Sequence, residues 1–382
     1  MAKVRLGDVV DHIKDKVDKD ATDLEYYVGG EHIDGDEITV QRKGKIQGST
    51  IGPAFHTRFM KGDVLLMSRN PHLRKASMVD FDGICSDVSY VCRTKDNTVL
   101  LQSLLPFILQ TTDFWKFAEE NKKGGLPFFL NWKDFARFEF DLLPIEEQLK
   151  ISPLLWAIER AKKAYKDLIS KTDELVKSQF IEMFGALDSN EKGWLKEPLK
   201  KHADVLVGYP FPSAGYAEEG IKIVGGYNLM QGYINWEESK YWPDPTGFEQ
   251  YLLQKGDIVM AMDRPWTGNG FKMAFIDGDN LPAILIQRTA CIRAKDLSNE
   301  FLYAMLNSMW FAEHCDVKGS LVPHISNKDI NSFGIFVPPV ELQREYAAFY
   351  KQSDKSKFEA QQALEYITAA QKSLMRQLLD AE

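Results

Sequence analysis

Two long stretches of the chain repeat a stripe of residues at alternating steps of three and four. The first runs Ile151, Leu154, Ile158, Ala161, Tyr165, Leu168, Thr172, Leu175 and Gln179; the second runs Tyr346, Tyr350, Ser353, Lys357, Ala360, Leu364, Ile367, Gln371, Leu374 and Leu378. That spacing sets the residues on one narrow face of an α-helix, the seam of a coiled coil. Each stripe opens after a proline, Pro144 or Pro339, which a first helical turn tolerates because it needs no amide donor there. A long helix with so narrow an apolar face pairs with another of its kind, and this chain supplies two. Elsewhere the pattern changes. Short β-rich runs at Val64 to Met67, Ser89 to Arg93, Ile258 to Met262 and Thr289 to Arg293 stand between Gly, Pro and Asp and predict strands. Helices are predicted near Leu100 to Glu120 and Asn299 to Cys315, so the globular parts are α+β.

The two stripes belong to a larger repeat. Val28-Gly29-Gly30 returns as Val224-Gly225-Gly226, Lys61-Gly62-Asp63-Val64 as Lys255-Gly256-Asp257-Ile258, Lys133-Asp134-Phe135 as Lys328-Asp329-Ile330, and Pro144-Ile145-Glu146-Glu147-Gln148 as Pro339-Val340-Glu341-Leu342-Gln343. The matches keep their order at offsets of 194 to 196 residues, which makes the chain a tandem duplication. Each copy is a mixed domain followed by a long helix. At 382 residues the chain has room for two such domains with cores of their own.

Composition narrows the class. With 44% apolar and 27% charged residues the chain is of the soluble globular kind. The start lacks a secretory pattern, and the apolar run at Leu100 to Leu109 is too short to span a membrane. Four cysteines, Cys85, Cys92, Cys291 and Cys315, then read as reduced thiols, and the expected location is the cytoplasm. The net charge of −8 is unevenly spread. Residues 8–37 hold eleven acids against Lys14, Lys16 and Lys19, whereas residues 41–75 hold Arg42, Lys43, Lys45, Arg58, Lys61, Arg69, Arg74 and Lys75 against Asp63. Local charge, more than net charge, decides whether a polyanion can bind.

No catalytic machinery is legible. There is no GxxxxGK[ST] loop and no HExxH, Cys85 and Cys92 are not at zinc-finger spacing, and His314-Cys315 is an ordinary adjacent pair. No catalytic or metal-binding residue is assigned. Two kinds of loop recur instead. Met67 to Lys75 carries Arg69, Asn70, His72, Arg74 and Lys75, and its counterpart from Met262 carries Arg264, Trp266 and Asn269, with Lys272 just beyond. A second pair sets Lys123 beside Gly124-Gly125 and Lys318 beside Gly319-Ser320, ahead of His324. Cations and amides in turns reach phosphates and base edges. Glycine beside lysine lets a backbone approach a phosphate. The residues alone leave room for a coiled-coil scaffold without DNA specificity or for a two-domain enzyme with an unrecognised site. DNA binding accounts better for matched basic loops, and its candidates are Arg42, Lys43, Lys45, Arg58, Arg69, Asn70, His72, Arg74, Lys75, Lys123, Arg264, Trp266, Asn269, Lys272, Lys318, Ser320 and His324.

With these motifs, above all the two Pro-Ile/Val-Glu-Glu/Leu-Gln openings, the Lys-Gly-Asp turns and Phe81-Asp82-Gly83-Ile84-Cys85-Ser86, the chain resembles the specificity subunits of type I restriction-modification systems over nearly its whole length. The resemblance implies two target-recognition domains, 1–143 and 190–338, alternating with helical regions 144–189 and 339–382 that form an antiparallel coiled coil. It implies that each domain reads half of a split, asymmetric site in double-stranded DNA. The helix seams, represented by Ile151, Leu154, Ile158, Tyr165, Leu168, Leu175, Tyr346, Leu364, Ile367, Leu374 and Leu378, would pair and dock partners. Two modification subunits carrying S-adenosylmethionine and the restriction (nuclease-motor) subunits are the partners implied; the chain itself would bind no cofactor and catalyse nothing.

Overall fold

The computed structural model describes residues 2–268, 270–317 and 323–379. The chain divides into two units, residues 1–167 with 361–382, and residues 168–360.

Unit 1 is built on two sheets and a ribbon. An antiparallel sheet orders Val10–Ile13, Ser89–Thr94, Val64–Met67 and Ala76–Met78. A mixed sheet pairs Tyr26–Val28 in parallel with Gly83–Ser86 and adds Gly44–Lys45 and Phe55–Phe59 at its edges. Ala2–Arg5 and Glu139–Leu142 form an antiparallel ribbon just before the first long helix. Unit 2 repeats the plan. Its antiparallel sheet orders Ala203–Val207, Thr289–Ala294, Ile258–Ala261 and Met273–Phe275; Ile221–Val224 runs parallel to Ala283–Leu285; Leu195–Pro198 pairs with Gly334–Val337. Val64–Met67 and Ile258–Ala261 are buried throughout, as central strands covered on both faces must be.

The repeated motifs are fastenings within these units. In the Lys-Gly-Asp turns, Gly62 and Gly256 take φ of 93° and 88°, a region glycine enters without steric cost. The buried Asp63 receives Arg93 through Nε at 2.7 Å and Nη2 at 2.8 Å, and Asp257 receives Arg293 at 2.8 and 2.7 Å. Gln148, fully buried, accepts from the Leu101 amide at 2.9 Å and donates to the Val99 and Leu143 carbonyls, both at 2.8 Å. Gln343 accepts from the Ser298 amide at 3.0 Å and donates to the Pro338 carbonyl at 2.9 Å. The glutamine thus anchors the first turn of each long helix to its own domain.

Where long single helices are predicted near residues 100–120 and 299–315, the chain forms broken ones. Leu105–Ile108 and Thr112–Glu120 are separated at Thr111, and Asn299–Leu306 and Met309–His314 at Ser308. Both hydroxyls accept from the amide three residues on, Phe114 and Phe311, the N-cap bond that starts a new helix.

The long helices are Ile145–Phe184, with Pro153 inside it, and Val340–Leu379. They pair antiparallel: Glu159 and Lys162 meet Gln371 in unit 1, while Asp173 meets Lys357 in unit 2. In unit 1, Ile151, Leu155, Met375 and Leu379 join the domain core; in unit 2, Phe180 and Phe184 pack on Tyr346. The second helix buries its expected line, with Tyr346, Ser353, Ala360 and Gln371 buried and Leu364, Ile367, Leu374 and Leu378 partly so. On the first helix the buried line falls one position on. Ser152, Leu155, Glu159, Lys162 and Phe180 are buried, Ile151 is buried, Ile158 and Tyr165 are partly covered, and Leu154, Leu168 and Leu175 stand about half exposed. The shift arises because that line holds mutually hydrogen-bonded polar residues, which an apolar stripe does not register.

Candidate nucleic-acid interface

In each unit the two recurring loops lie side by side. The Ser68 carbonyl accepts from Leu130 at 2.9 Å, and the Asn70 amide donates to Phe128 at 2.8 Å. In unit 2 the Met262 carbonyl accepts from Ile325 at 2.8 Å, and the Arg264 amide donates to Pro323 at 2.9 Å. A third strand end joins them: the Ser68 amide donates to Val88, and the Met262 amide to Arg288, both at 2.9 Å. This shared register makes Arg69 equivalent to Asp263, Asn70 to Arg264, Val88 to Arg288, and Phe129 to His324. Arg69–Phe129 and Asp263–His324 are the matching bridges. One backbone frame therefore displays two different sets of side chains.

Arg69 and His72 are exposed, and Arg69 has no ion-pair partner among the described residues. Asn70 and Arg74 take φ of 53° and 51°. Lys123 binds both oxygens of Asp134 at 2.8 Å, and Arg137 adds a contact at 3.0 Å. Burial alone would raise the Asp134 carboxyl, but the Lys123 ammonium and the Asn131 amide outweigh it and hold its pKa below the ordinary value. In unit 2 Arg264 is exposed, with no ion-pair partner among the described residues, and takes φ of 45°. Trp266 packs on Phe271, ring centroids 4.8 Å apart. Asp263 hydrogen-bonds His324 Nδ1 through one oxygen and meets Arg288 Nε at 3.1 Å through the other. Arg288 thus adjoins the candidate loop pair, a placement that sequence reasoning missed. Asn269, Lys318 and Ser320 lie outside the described residues.

Most of the other basic candidates are spoken for. Arg42 meets Asp34 at 2.5 Å, Lys45 meets Glu25 at 3.6 Å, and Arg74 meets Asp36 at 3.0 Å, so the acidic segment neutralises much of the basic one. Lys43 sits 3.6 Å from the Tyr26 ring centre and 4.3 Å from that of Phe81, a cation–π contact. Arg58 lies in the strand Phe55–Phe59, half-buried, its Nε without a hydrogen-bond partner. Lys75 Nζ donates to the Gly30 carbonyl at 2.6 Å, and Lys272 Nζ makes the same bond to Gly226. These two lysines close the repeated Val-Gly-Gly turns, and burial lowers the pKa of Lys272. Exposed ion pairs are worth about 1 kcal/mol or less, so phosphate can compete for the surface arginines. The described residues hold no cluster of His, Cys, Asp and Glu fit for a metal and no helix long and apolar enough to cross a membrane.

Residues 220–368 match the family model described as the type I restriction modification DNA specificity domain. The specificity subunit of the Escherichia coli type I enzyme EcoAI is 34% identical over 144 residues, 36% of this chain and 24% of that protein. That of MjaVIII from Methanocaldococcus jannaschii is 26% identical over 282 residues, 69% of this chain and 66% of that one. The matches thus span less than two thirds of either relative. The chain is similar to the specificity subunits of type I restriction enzymes. Its fold is shared with the S subunit from M. genitalium, at a TM-score of 0.62 and 15% identity, covering 100% of this chain and 96% of that one. A chain from a study of type I R-M complex assembly shares the fold at a TM-score of 0.51 and 19% identity, with 98% and 96% covered. Between the two units of this chain the loop pair differs in its side chains while its hydrogen-bonded frame is the same.

Proposed function

We propose that this chain is the DNA sequence-specificity subunit of a type I restriction-modification complex. The observation that carries the reading is the duplicated loop pair, one hydrogen-bonded frame presenting Arg69, Asn70 and Phe129 in one domain and Asp263, Arg264 and His324 in the other. Identical frames with different side chains suit an asymmetric site read in two halves, because base edges are distinguished by the donors and acceptors offered to them. Residues 1–143 and 190–338 each read one half of double-stranded DNA. The helical regions 144–189 and 339–382 set the spacer between the halves and dock two modification subunits, with the restriction subunits completing the complex. S-adenosylmethionine belongs to the modification subunits; this chain holds no cofactor and performs no chemistry, and the complex works in the cytoplasm.

Long-read methylation mapping of the host with the gene deleted and restored tests the proposal. Deletion should erase one bipartite methylation motif and restoration should return it. An unchanged methylome would leave the chain a scaffold and overturn the reading.

A further inference from the structure

Seven non-glycine residues among those described have positive φ, and three of them are arginines: Arg74 at 51°, Arg264 at 45° and Arg288 at 63°. Asn and Asp enter this region readily, whereas arginine pays a conformational cost that glycine avoids. Such residues persist where their surroundings hold them, often at ligand sites. Arg264 and Arg288 are brought together at Asp263, since the Met262 amide donates to the Arg288 carbonyl at 2.9 Å and Arg264 follows two residues on. The Arg288 side chain is 71% exposed, so burial does not explain why an arginine occupies this turn.

Asp263 meets Arg288 through Nε at 3.1 Å and holds His324 through its other oxygen. With Nε turned to Asp263, both terminal nitrogens of the Arg288 guanidinium are without a hydrogen-bond partner among the described residues. They form a fork of donors, the arrangement that matches O6 and N7 of guanine in the major groove. Domain 1 has Val88 and Asn70 at the equivalent positions, so its half-site is read by other groups.

We propose that Arg264 and Arg288 are the guanine-reading side chains of the second domain and that Asp263 is the positioning residue that aims Arg288. The assignment rests on the DNA-specificity reading above. Arg264→Gly and Arg288→Gly are the natural tests, because glycine relaxes the backbone at both sites and the variants should melt no lower than the parent. In the methylation map, Arg288→Gly should relax guanine preference at one position of the second half-site by about tenfold or more, leaving the first half-site unchanged. Arg264→Gly should do the same at a different position. Asp263→Asn should relax the Arg288 position several-fold and no other, and Asp263→Glu should restore part of the preference, a readout that simple loosening of the fold would not give.

Binding of the assembled complex to oligonucleotides substituted at each position supplies the companion measurement. An unaltered motif in Arg288→Gly, a change confined to the first half-site, or equal weakening on every sequence, as for a phosphate contact, would each overturn the assignment. Its failure is separable from that of the proposed function. If gene deletion erases the motif while Arg288→Gly keeps it, only the assignment fails; if deletion leaves methylation unchanged, the function itself fails.

Discussion

Lys162→Met removes a charge from the middle of the paired helices while nearly keeping the side chain's length. Lys162 and Glu159 are only 8% and 9% exposed. Nζ lies 2.9 Å from Glu159 Oε1 and 2.8 Å from Gln371 Oε1, and Gln371 Nε2 donates to Glu159 at 2.6 Å. Methionine leaves the Glu159 carboxylate buried with one amide for company, and breaking a buried pair this way costs about 3–5 kcal/mol. For a unit of about 190 residues, each kcal/mol moves Tm by about 2–4 °C, so the unit 1 transition should fall by about 6–20 °C in calorimetry. The duplication provides its own control. Lys357, one repeat later, meets Asp173 at 2.6 Å with the two side chains 38% and 48% exposed, so Lys357→Met should cost about 1 kcal/mol or less. Replacing all three members, Glu159→Leu, Lys162→Met and Gln371→Leu, should recover most of the loss, since a buried ionic group exchanged for apolar residues is often neutral. Equal shifts for Lys162→Met and Lys357→Met, or a triple variant worse than the single one, would refute this energetic account.

Two further outcomes follow from buried polar groups. Gln148→Leu strands the Leu101 amide and the Val99 and Leu143 carbonyls at about 1–3 kcal/mol for each buried group left unpaired; hydrogen exchange at Leu101 should accelerate well before that of the sheet Val64–Met67, and unchanged protection would contradict the anchoring role. Burial, aided by Lys14, lowers the His12 pKa to about 4. Below pH 6.5 the unfolded chain therefore takes a proton that the folded chain refuses, so unit 1 should lose stability as pH falls from about 6.5 to about 4, and His12→Gln should flatten that limb in denaturant titrations.

The repeat and both long helices were legible because they are written in apolar periodicity and in short matching phrases, signals that survive without a partner in view. The anchoring role of Gln148 and Gln343 was not, although the motif containing them repeats, because hydrogen bonds to Leu101 or Ser298 join residues far apart in sequence. The burial line of the first helix was misplaced by one residue for the same reason: Glu159 and Lys162 are tolerated inside only because Gln371 meets them. Charge counting overstated the free basic surface, since Asp34, Asp36 and Glu25 fold onto Arg42, Arg74 and Lys45. Arg288 carried no turn signature at all. Only aligning Ser89–Thr94 with Thr289–Ala294 places it opposite Val88 and beside the loop of Arg264.

Under the proposed function, one helix joins the two recognition domains and sets the distance between the DNA sequences they read. The helix Ile145–Phe184 begins in unit 1 and ends in unit 2. Four residues inserted after Lys171 lengthen it by about 6 Å, and duplex DNA rises about 3.4 Å per base pair. Methylation mapping of the insertion variant should return the same two half-sequences separated by one to two more unspecified base pairs. Methylation that persists with the original spacer, or a change in either half-sequence, would contradict the claim.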